Sequence, residues 1–342
     1  MVLRRAAQIL AAVLLCTACA WPAAVVVTTA ALPSPSPAAS ATSAPSLTPP
    51  PTLTPLPSST PPPLAARVLV ITIDGLRADA LYRVNMPVLA GLMQRGASSL
   101  AAQTILPSGT LMAHASILSA SCPAKHGITW NDYMPALGET CAITLFDLAH
   151  EAGGRTVMVV GKEKLIQSVH RETLDVFAYV AGHDRDVAAR AVSEMADGFE
   201  AMLVHFPVVD GIGHLYGWMS WQQVSVIERA DAAVGTLLQA LEEDGLIQST
   251  LVILTADHGG HALTHGSDRP EDMTVPWILA GPGVVPGLRL ESSISVMDTA
   301  ATAAWALGLA RPAAWDGHAV EEAFGIPVDI ESIQVPNAMC GP

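Results

Sequence analysis

The feature that most constrains this chain is a series of apolar runs of strand length, several of which close on Asp or Gly. "RVLVITID" closes on Asp74, "RTVMVVG" on Gly161, "EAMLVHFPVVD" on Asp210 and "TLVILTAD" on Asp257, and "VPWILAGPG" runs to Gly283. An apolar run without alternation is what a strand covered on both faces requires. Helical patterns lie between these runs: "TLFDLAHEAGG", "DVAARAVSEMADGF" and "WQQVSVIERADAAVGTLLQALEEDG". The last closes on Gly245, a residue suited to the left-handed turn after a helix. The expected fold is α/β, a mostly parallel central sheet with helices on both faces. Open sheets of this kind bind ligands beyond the carboxyl ends of their strands. Asp74, Asp210 and Asp257 stand at such ends, where three carboxylates repel one another unless cations hold them together.

The residues around these acids supply the other donors a cation needs. Asp74 opens "DGLRADAL", Asp210 and His214 share "VVDGIGHLYGW", and Asp257, His258, His261 and His265 share "TADHGGHALTHGSD". Carboxylate and neutral imidazole suit zinc, and adjacent Asp257-His258 present two donors from one strand end. Each cluster alone has an ordinary alternative, since Asp-Gly is a common turn and a lone His is commonly structural; the conjunction favours metal. No CxxC spacing is present, which argues against a thiolate site.

A nucleophile is sought in "TILPSGTLMAHASILSASCPAKHGITWNDY", where a turn-rich "PSG" leads into a helical pattern. Thr110 then begins a helix, whose free N–H groups and dipole favour an anion. A hydroxyl needs a base or a metal to become a nucleophile. The alternative for this segment alone is Thr110 as an ordinary N-cap.

The first part of the chain is organised differently. Residues 1–31 read as an export segment: Arg4 and Arg5, an apolar stretch from Ile9 to Leu15, then small residues. "LLCTACA" offers Cys19 as a lipidation site of the bacterial lipoprotein kind, although Cys16 stands where Leu is usual; cleaved secretion and an uncleaved anchor are the alternatives. Residues 32–65 form a Pro/Ser/Thr spacer that cannot bury a core. Residues 66–327 are the expected catalytic domain and 328–342 a tail. This organisation places the protein outside the cell or at its surface. Cys122 and Cys141 pair if that compartment is oxidising. The chain carries a net charge of −14, and removing Arg4 and Arg5 from its 17 basic residues leaves 15 against 31 acidic ones. So acidic a domain argues against a nucleic-acid polymer as partner, while small phosphorylated substrates remain compatible if metal supplies local positive charge.

Taken together, these residues resemble the nucleotide pyrophosphatase/phosphodiesterase family of the alkaline phosphatase superfamily, over roughly Val68 to Leu309. "DGLRA" is similar to the family's strand-end ligand element. The family's threonine nucleophile lies sixteen residues before an "HG-I" element, which from His126 falls on Thr110, and its phosphoryl-steadying asparagine twenty-one residues later falls on Asn131. "DGIGHLYG", "DH" and "HGSD" match further ligand elements, the last selecting His265 over His261. The resemblance implies two divalent ions, with zinc expected. One would be held by Asp74, Thr110, Asp257 and His258, and the other by Asp210, His214 and His265.

The implied activity is hydrolysis of a phosphodiester or pyrophosphate bond in a small substrate through a phosphothreonine at Thr110, with Asn131 and the Leu111 N–H steadying the phosphoryl group. Leu111 stands where nucleotide-binding relatives carry an aromatic residue, and the stretch from His258 to His265 lacks their long insertion. The sulfatase C/S-x-P-x-R element is missing around Thr110. A phosphomonoesterase or phosphono-compound hydrolase on the same metals is the alternative activity, and a non-catalytic surface binding protein a second one. Lys162, Lys164, Trp130, Trp218 and Trp221 are further pocket candidates.

Overall fold

The structure, a computed structural model, describes residues 63–327. The export segment with Cys19, most of the spacer and the tail from residue 328 lie outside the described residues. Eight strands form one sheet: β1 (Arg67–Ile73), β2 (Ala97–Gln103), β3 (Thr156–Val160), β4 (Val176–Tyr179), β5 (Ala201–Phe206), β6 (Thr250–Thr255), β7 (Thr274–Ala280) and β8 (Leu288–Arg289). Their spatial order is β4-β3-β5-β1-β6-β7-β2-β8. Every pairing is parallel except those of β7 with its two neighbours, β6 and β2. The α/β sheet expected from the apolar runs is therefore present, with one reversed strand, "VPWILA".

Nine α-helices accompany the sheet among the described residues: α1 (Pro87–Arg95), α2 (Thr110–Ser119), α3 (Pro123–His126), α4 (Leu145–Glu151), α5 (Asp184–Met195), α6 (Val208–Tyr216), α7 (Trp221–Glu243), α8 (Pro270–Met273) and α9 (Asp298–Ala306). Helices α1, α5 and α7 pack together as one layer, and α2, α4 and α9 as the other. This double cover explains why β1, β5 and β6 carry apolar residues at successive positions: β5 and β6 are buried along their whole length. The long α7 starts from Ser220, whose hydroxyl accepts the Gln223 N–H, and gives way to Gly245 at φ +68°.

Three adjacent strands set up the site. β5, β1 and β6 lie side by side, with Ile73 level with Phe206 and Thr72 level with Thr255. The segments that follow them therefore leave the sheet at one edge. Asp74 follows β1 directly, and Asp257 follows β6 after Ala256. Asp210 departs from the strand-end expectation: β5 stops at Phe206, Pro207 ends the ladder, and Asp210 lies in the first turn of α6. Asp210 and His214 are thereby an i,i+4 pair on one helix face. Gly75, at φ +75°, lets β1 turn directly against α6; a Cβ there would stand 3.0 Å from the Asp210 Cα.

The pairing of Cys122 with Cys141 is not made. Cys141 is a free, exposed thiol whose sulfur packs beside Gly127, whereas Cys122 is disulfide-bonded. Among the described residues no helix is long and apolar enough to cross a membrane.

Because the layers close over β6, Leu254→Ala should remove about 2–5 kcal/mol of stability. Tyr82→Ala, at a side chain 69% exposed, should stay within about 0.5 kcal/mol. Urea unfolding of the two variants checks both, and equal losses would contradict the double cover.

Candidate metal centre and nucleophile

Asp74, Asp210, Asp257 and His258 are all buried, as is Thr110. The three carboxylates share one arrangement: one oxygen is anchored by protein donors and the other has no partner. Asp257 Oδ1 accepts the backbone N–H of Gly75 at 3.1 Å and of His258 at 2.9 Å. Asp74 Oδ2 accepts His205 Nε2 at 2.9 Å and lies 2.7 Å from Lys162 Nζ. Asp210 Oδ2 accepts Lys162 Nζ at 2.7 Å. The opposite oxygens, Asp74 Oδ1, Asp210 Oδ1 and Asp257 Oδ2, are buried without a hydrogen bond. Orphaned carboxylate oxygens are costly away from water.

The imidazoles are oriented to match. His214 Nδ1 bonds the Leu263 carbonyl at 2.9 Å, His265 Nδ1 the Ser108 carbonyl at 2.8 Å and His258 Nδ1 the Gly259 carbonyl at 2.8 Å. A carbonyl only accepts, so each Nδ1 carries the proton and each Nε2 presents a lone pair. Burial and the neighbouring His258 push His265 down to about 4, and burial also lowers His258, so both rings are held in the neutral form a metal requires. His258 and His265 stack, with centroids 3.6 Å apart.

The donor spacings fit a metal pair. Around His258 Nε2 stand Asp257 Oδ2 at 3.4 Å, Asp74 Oδ1 at 3.5 Å and Thr110 Oγ1 at 3.5 Å. Asp210 Oδ1 lies 3.3 Å from His214 Nε2 and 3.7 Å from His265 Nε2. Tetrahedral ligands about 2.0–2.1 Å from zinc stand roughly 3.3–3.4 Å apart. Asp210, His214 and His265 make one compact donor group, and Asp74 and His258 make a second in which Asp210 also takes part. Asp210 thus faces both groups.

Electrostatics show the same demand. Burial would raise Asp74, but Lys162 and the His205 hydrogen bond outweigh it and hold the carboxyl well below its ordinary range. Asp257 goes the other way, pushed up by burial and by the charge of Asp74. Burial and like charge thus set the three acids against one another, while Asp210 in turn raises His214; divalent ions would remove the conflict among the acids.

Thr110 is the first residue of α2, with Gly109 as the N-cap, so it is not an ordinary cap. Its Oγ1 also lies 3.4 Å from Lys162 Nζ. Asn131 lies beside it with a fixed amide: Oδ1 accepts the Leu111 N–H at 2.9 Å and Lys164 Nζ at 3.0 Å, leaving Nδ2 uncommitted near Gly109. This corrects the expectation that the Leu111 N–H serves the phosphoryl group, because that donor is spent on Asn131. The Leu111 side chain is fully buried in the core and does not line the pocket.

His261 is not brought to the donor groups; its Nδ1 bonds the buried Asp272 at 2.7 Å. Trp218 stands behind the site, donating Nε1–H to the Gly75 carbonyl at 3.0 Å and presenting ring edges to His214 and His265. Trp221 is 78% exposed at the start of α7, and Trp130 packs against the core.

Two buried histidines escaped the sequence reading. His205 accepts the Gly161 N–H at Nδ1, so its Nε2–H is fixed toward Asp74. His114 Nδ1 donates to the Thr110 carbonyl at 2.8 Å and its Nε2 bonds Thr72 at 2.9 Å. The available signal was a histidine inside a wholly apolar strand, and another one helical turn after the nucleophile candidate.

Comparison with known proteins bears on the family and the fold. The chain is 26% identical over 215 residues to the bis(5'-adenosyl)-triphosphatase of Xenopus laevis, covering 56% of this chain and 47% of that protein. The chain spans less than half the length of that relative and of a pyrophosphatase/phosphodiesterase of Schizosaccharomyces pombe that it also matches. Murine ectonucleotide pyrophosphatase/phosphodiesterase 5, solved in complex with AMP, superposes with a TM-score of 0.61 at 17% identity, covering 72% of this chain and 96% of that one. A phosphonate monoester hydrolase from Silicibacter pomeroyi superposes with a TM-score of 0.59 at 16% identity, covering 77% and 78%. At these identities the superpositions speak to the fold. The family model described as type I phosphodiesterase/nucleotide pyrophosphatase matches residues 68–275, the stretch that carries the whole donor constellation, and the chain belongs to that family.

Proposed function

We propose that this chain is a metal-dependent hydrolase of phosphodiester or pyrophosphate bonds in small substrates, acting through a phosphothreonine at Thr110. The observation that carries the reading is the convergence of three partnerless carboxylate oxygens and the Thr110 hydroxyl on the lone-pair side of three fixed imidazoles. Asp74, Thr110, Asp257 and His258 would hold one divalent ion, and Asp210, His214 and His265 the other, with zinc suited to this donor set. Bound there, such ions lower the pKa of a hydroxyl or water and neutralise charge on phosphoryl and leaving oxygens.

The chain's own residues supply the rest. Thr110 Oγ attacks phosphorus as the bond to the leaving oxygen breaks, and the hydroxyl proton passes through solvent to the leaving oxygen. Water then attacks the phosphothreonine, the P–Oγ bond breaks, and one proton of that water returns to Thr110 Oγ while its oxygen stays on phosphorus, so that two inversions retain configuration. Asn131 Nδ2–H donates to a non-bridging oxygen as charge develops, from an amide already locked by Leu111 and Lys164 and thus without reorganisation. Gly75 and Trp218 keep β1, α6 and the imidazoles in register. The bis(5'-adenosyl)-triphosphatase relative favours phosphoric anhydrides among the candidate substrates. Lys162 and Lys164, two cations at the site, favour the second reading of a phosphomonoesterase or phosphono-compound hydrolase. The acidic domain and the spacer suit an exported enzyme acting at the cell surface.

Thr110→Ala should keep its metal and lose nearly all hydrolysis of an aryl phosphodiester; activity near that of the parent would remove Thr110 from the mechanism. Purified active protein should contain about two divalent ions per chain, lost to a chelator together with activity, as elemental analysis would show. Asn131→Ala should lower kcat about 10²-fold. A change confined to KM would instead make Asn131 a simple binding residue.

A further inference from the structure

Beyond the metal ligands, the segment after β3 places two lysines in the site. Gly161 ends the strand against Pro207, and the chain crosses the edge of the sheet beside β5, carrying Lys162 and Lys164 on the two sides of Glu163. Glu163 points to solvent while both lysines are half-buried.

The two ammonium groups have different surroundings. Lys162 lies 2.7 Å from Asp74 Oδ2 and from Asp210 Oδ2, so its charge is engaged by carboxylates. Lys164 forms no ion pair among the described residues; its one hydrogen bond, 3.0 Å, goes to the neutral amide oxygen of Asn131. An ammonium has three donors, so two of them remain without a protein acceptor among the described residues. A half-buried cation with no anionic partner is costly to keep, and it is satisfied when an anion binds.

Charge counting gives the anion its size. The Asp74, Asp210 and Asp257 carboxylates and an ionised Thr110 oxygen bring four negative charges, which two divalent cations balance. The neutral imidazoles add none, and the two lysines are surplus positive charge. A phosphodiester supplies one negative charge to such a pocket, whereas a phosphomonoester or a disubstituted pyrophosphate supplies two.

Building on the phosphoryl-transfer reading above, we propose that Lys164, backed by Lys162, is a specificity residue that selects substrates with two negative charges at or adjoining the scissile phosphorus over singly charged diesters. The second charge sits either on the transferred phosphoryl group itself or on the phosphoryl group next to it.

The test uses the full chain loaded with zinc and compares Lys164→Gln with the parent on three substrates: an aryl phosphodiester, an aryl phosphomonoester and a disubstituted aryl pyrophosphate. Gln keeps a donor for the Asn131 oxygen and removes the charge. Loss of a charge-assisted hydrogen bond predicts that kcat/KM falls at least about tenfold on one of the doubly charged substrates and changes by less than about threefold on the diester. Whichever doubly charged substrate falls further locates the second charge, and Lys164→Arg should restore most of the loss.

Binding gives a readout independent of turnover. By calorimetry, inorganic phosphate should bind Lys164→Gln at least about tenfold more weakly, with dimethyl phosphate unchanged within about twofold. Equal losses on all three substrates would show that Lys164 only orients Asn131, and no loss on either doubly charged substrate would show that it reads no charge; both overturn the proposal. A parent enzyme inactive on all three substrates and unable to bind phosphate would instead sink the phosphoryl-transfer reading, and this inference with it.

Discussion

The structure depends on a repulsion. Asp74, Asp210 and Asp257 are buried together at one sheet edge, with Asp74 and Asp210 donor atoms within 4.8 Å of each other. Two like charges at such a distance cost roughly 4 kcal/mol at an effective dielectric near 20. Lys162 offsets part of this by touching two of the acids, while burial and the charge of Asp74 push the Asp257 carboxyl upward. A fold selected for stability alone would not assemble this group. Its persistence in an otherwise close-packed core is the physical signature of a site completed by cations.

The way the acids are held is as informative as their presence. Each carboxylate gives one oxygen to fixed donors, backbone N–H groups for Asp257, His205 with Lys162 for Asp74, and Lys162 for Asp210. The rings that complete the donor set are pinned at Nδ1 by backbone carbonyls from two loops, Gly259 and Leu263 in one and Ser108 in the other. Little side-chain freedom is left to lose when a cation binds, so ordering contributes little to the cost of binding. The same anchors explain why residues outside the ligand set matter. Replacing His205 would leave Asp74 free to turn, and adding a side chain at Gly75 would press on the backbone of Asp210.

Much of this was legible in the sequence because it follows from strong local signals. Runs such as "RVLVITI" and "TLVILT" have no polar alternation, which only a doubly covered strand tolerates. β2, "ASSLAAQ", and the two-residue β8 were missed, since Ala, Ser and Gln carry little strand propensity and their pairing is decided by the sheet edge. Asp210 was placed at a strand end because "VVD" continues the apolar run. Pro207 breaks that run, and a helix starts one residue later. The choice of His265 over His261 came from family resemblance alone; the structure puts His265 with Asp210 and His214, and turns His261 to Asp272. His205 and His114 were out of reach, because an anchoring role depends on which strand lies beside which.

Asn131 shows how a local hydrogen bond changes the chemistry expected of a motif. Read from spacing, Asn131 and the Leu111 N–H are two donors available to a phosphoryl group. In the fold the Leu111 N–H binds the asparagine oxygen, so two nominal donors become one oriented donor, Nδ2–H. A single neutral amide cannot balance a phosphoryl group that gathers charge on its equatorial oxygens. On the proposed reading the balancing positive charge would come from divalent cations held by the acids, near the ammonium groups that the segment after β3 brings within hydrogen-bonding distance of Asn131 and the acids. On that reading the asparagine fixes direction and Lys164 meets the second charge of a doubly charged substrate, so positioning and charge recognition are carried by different residues.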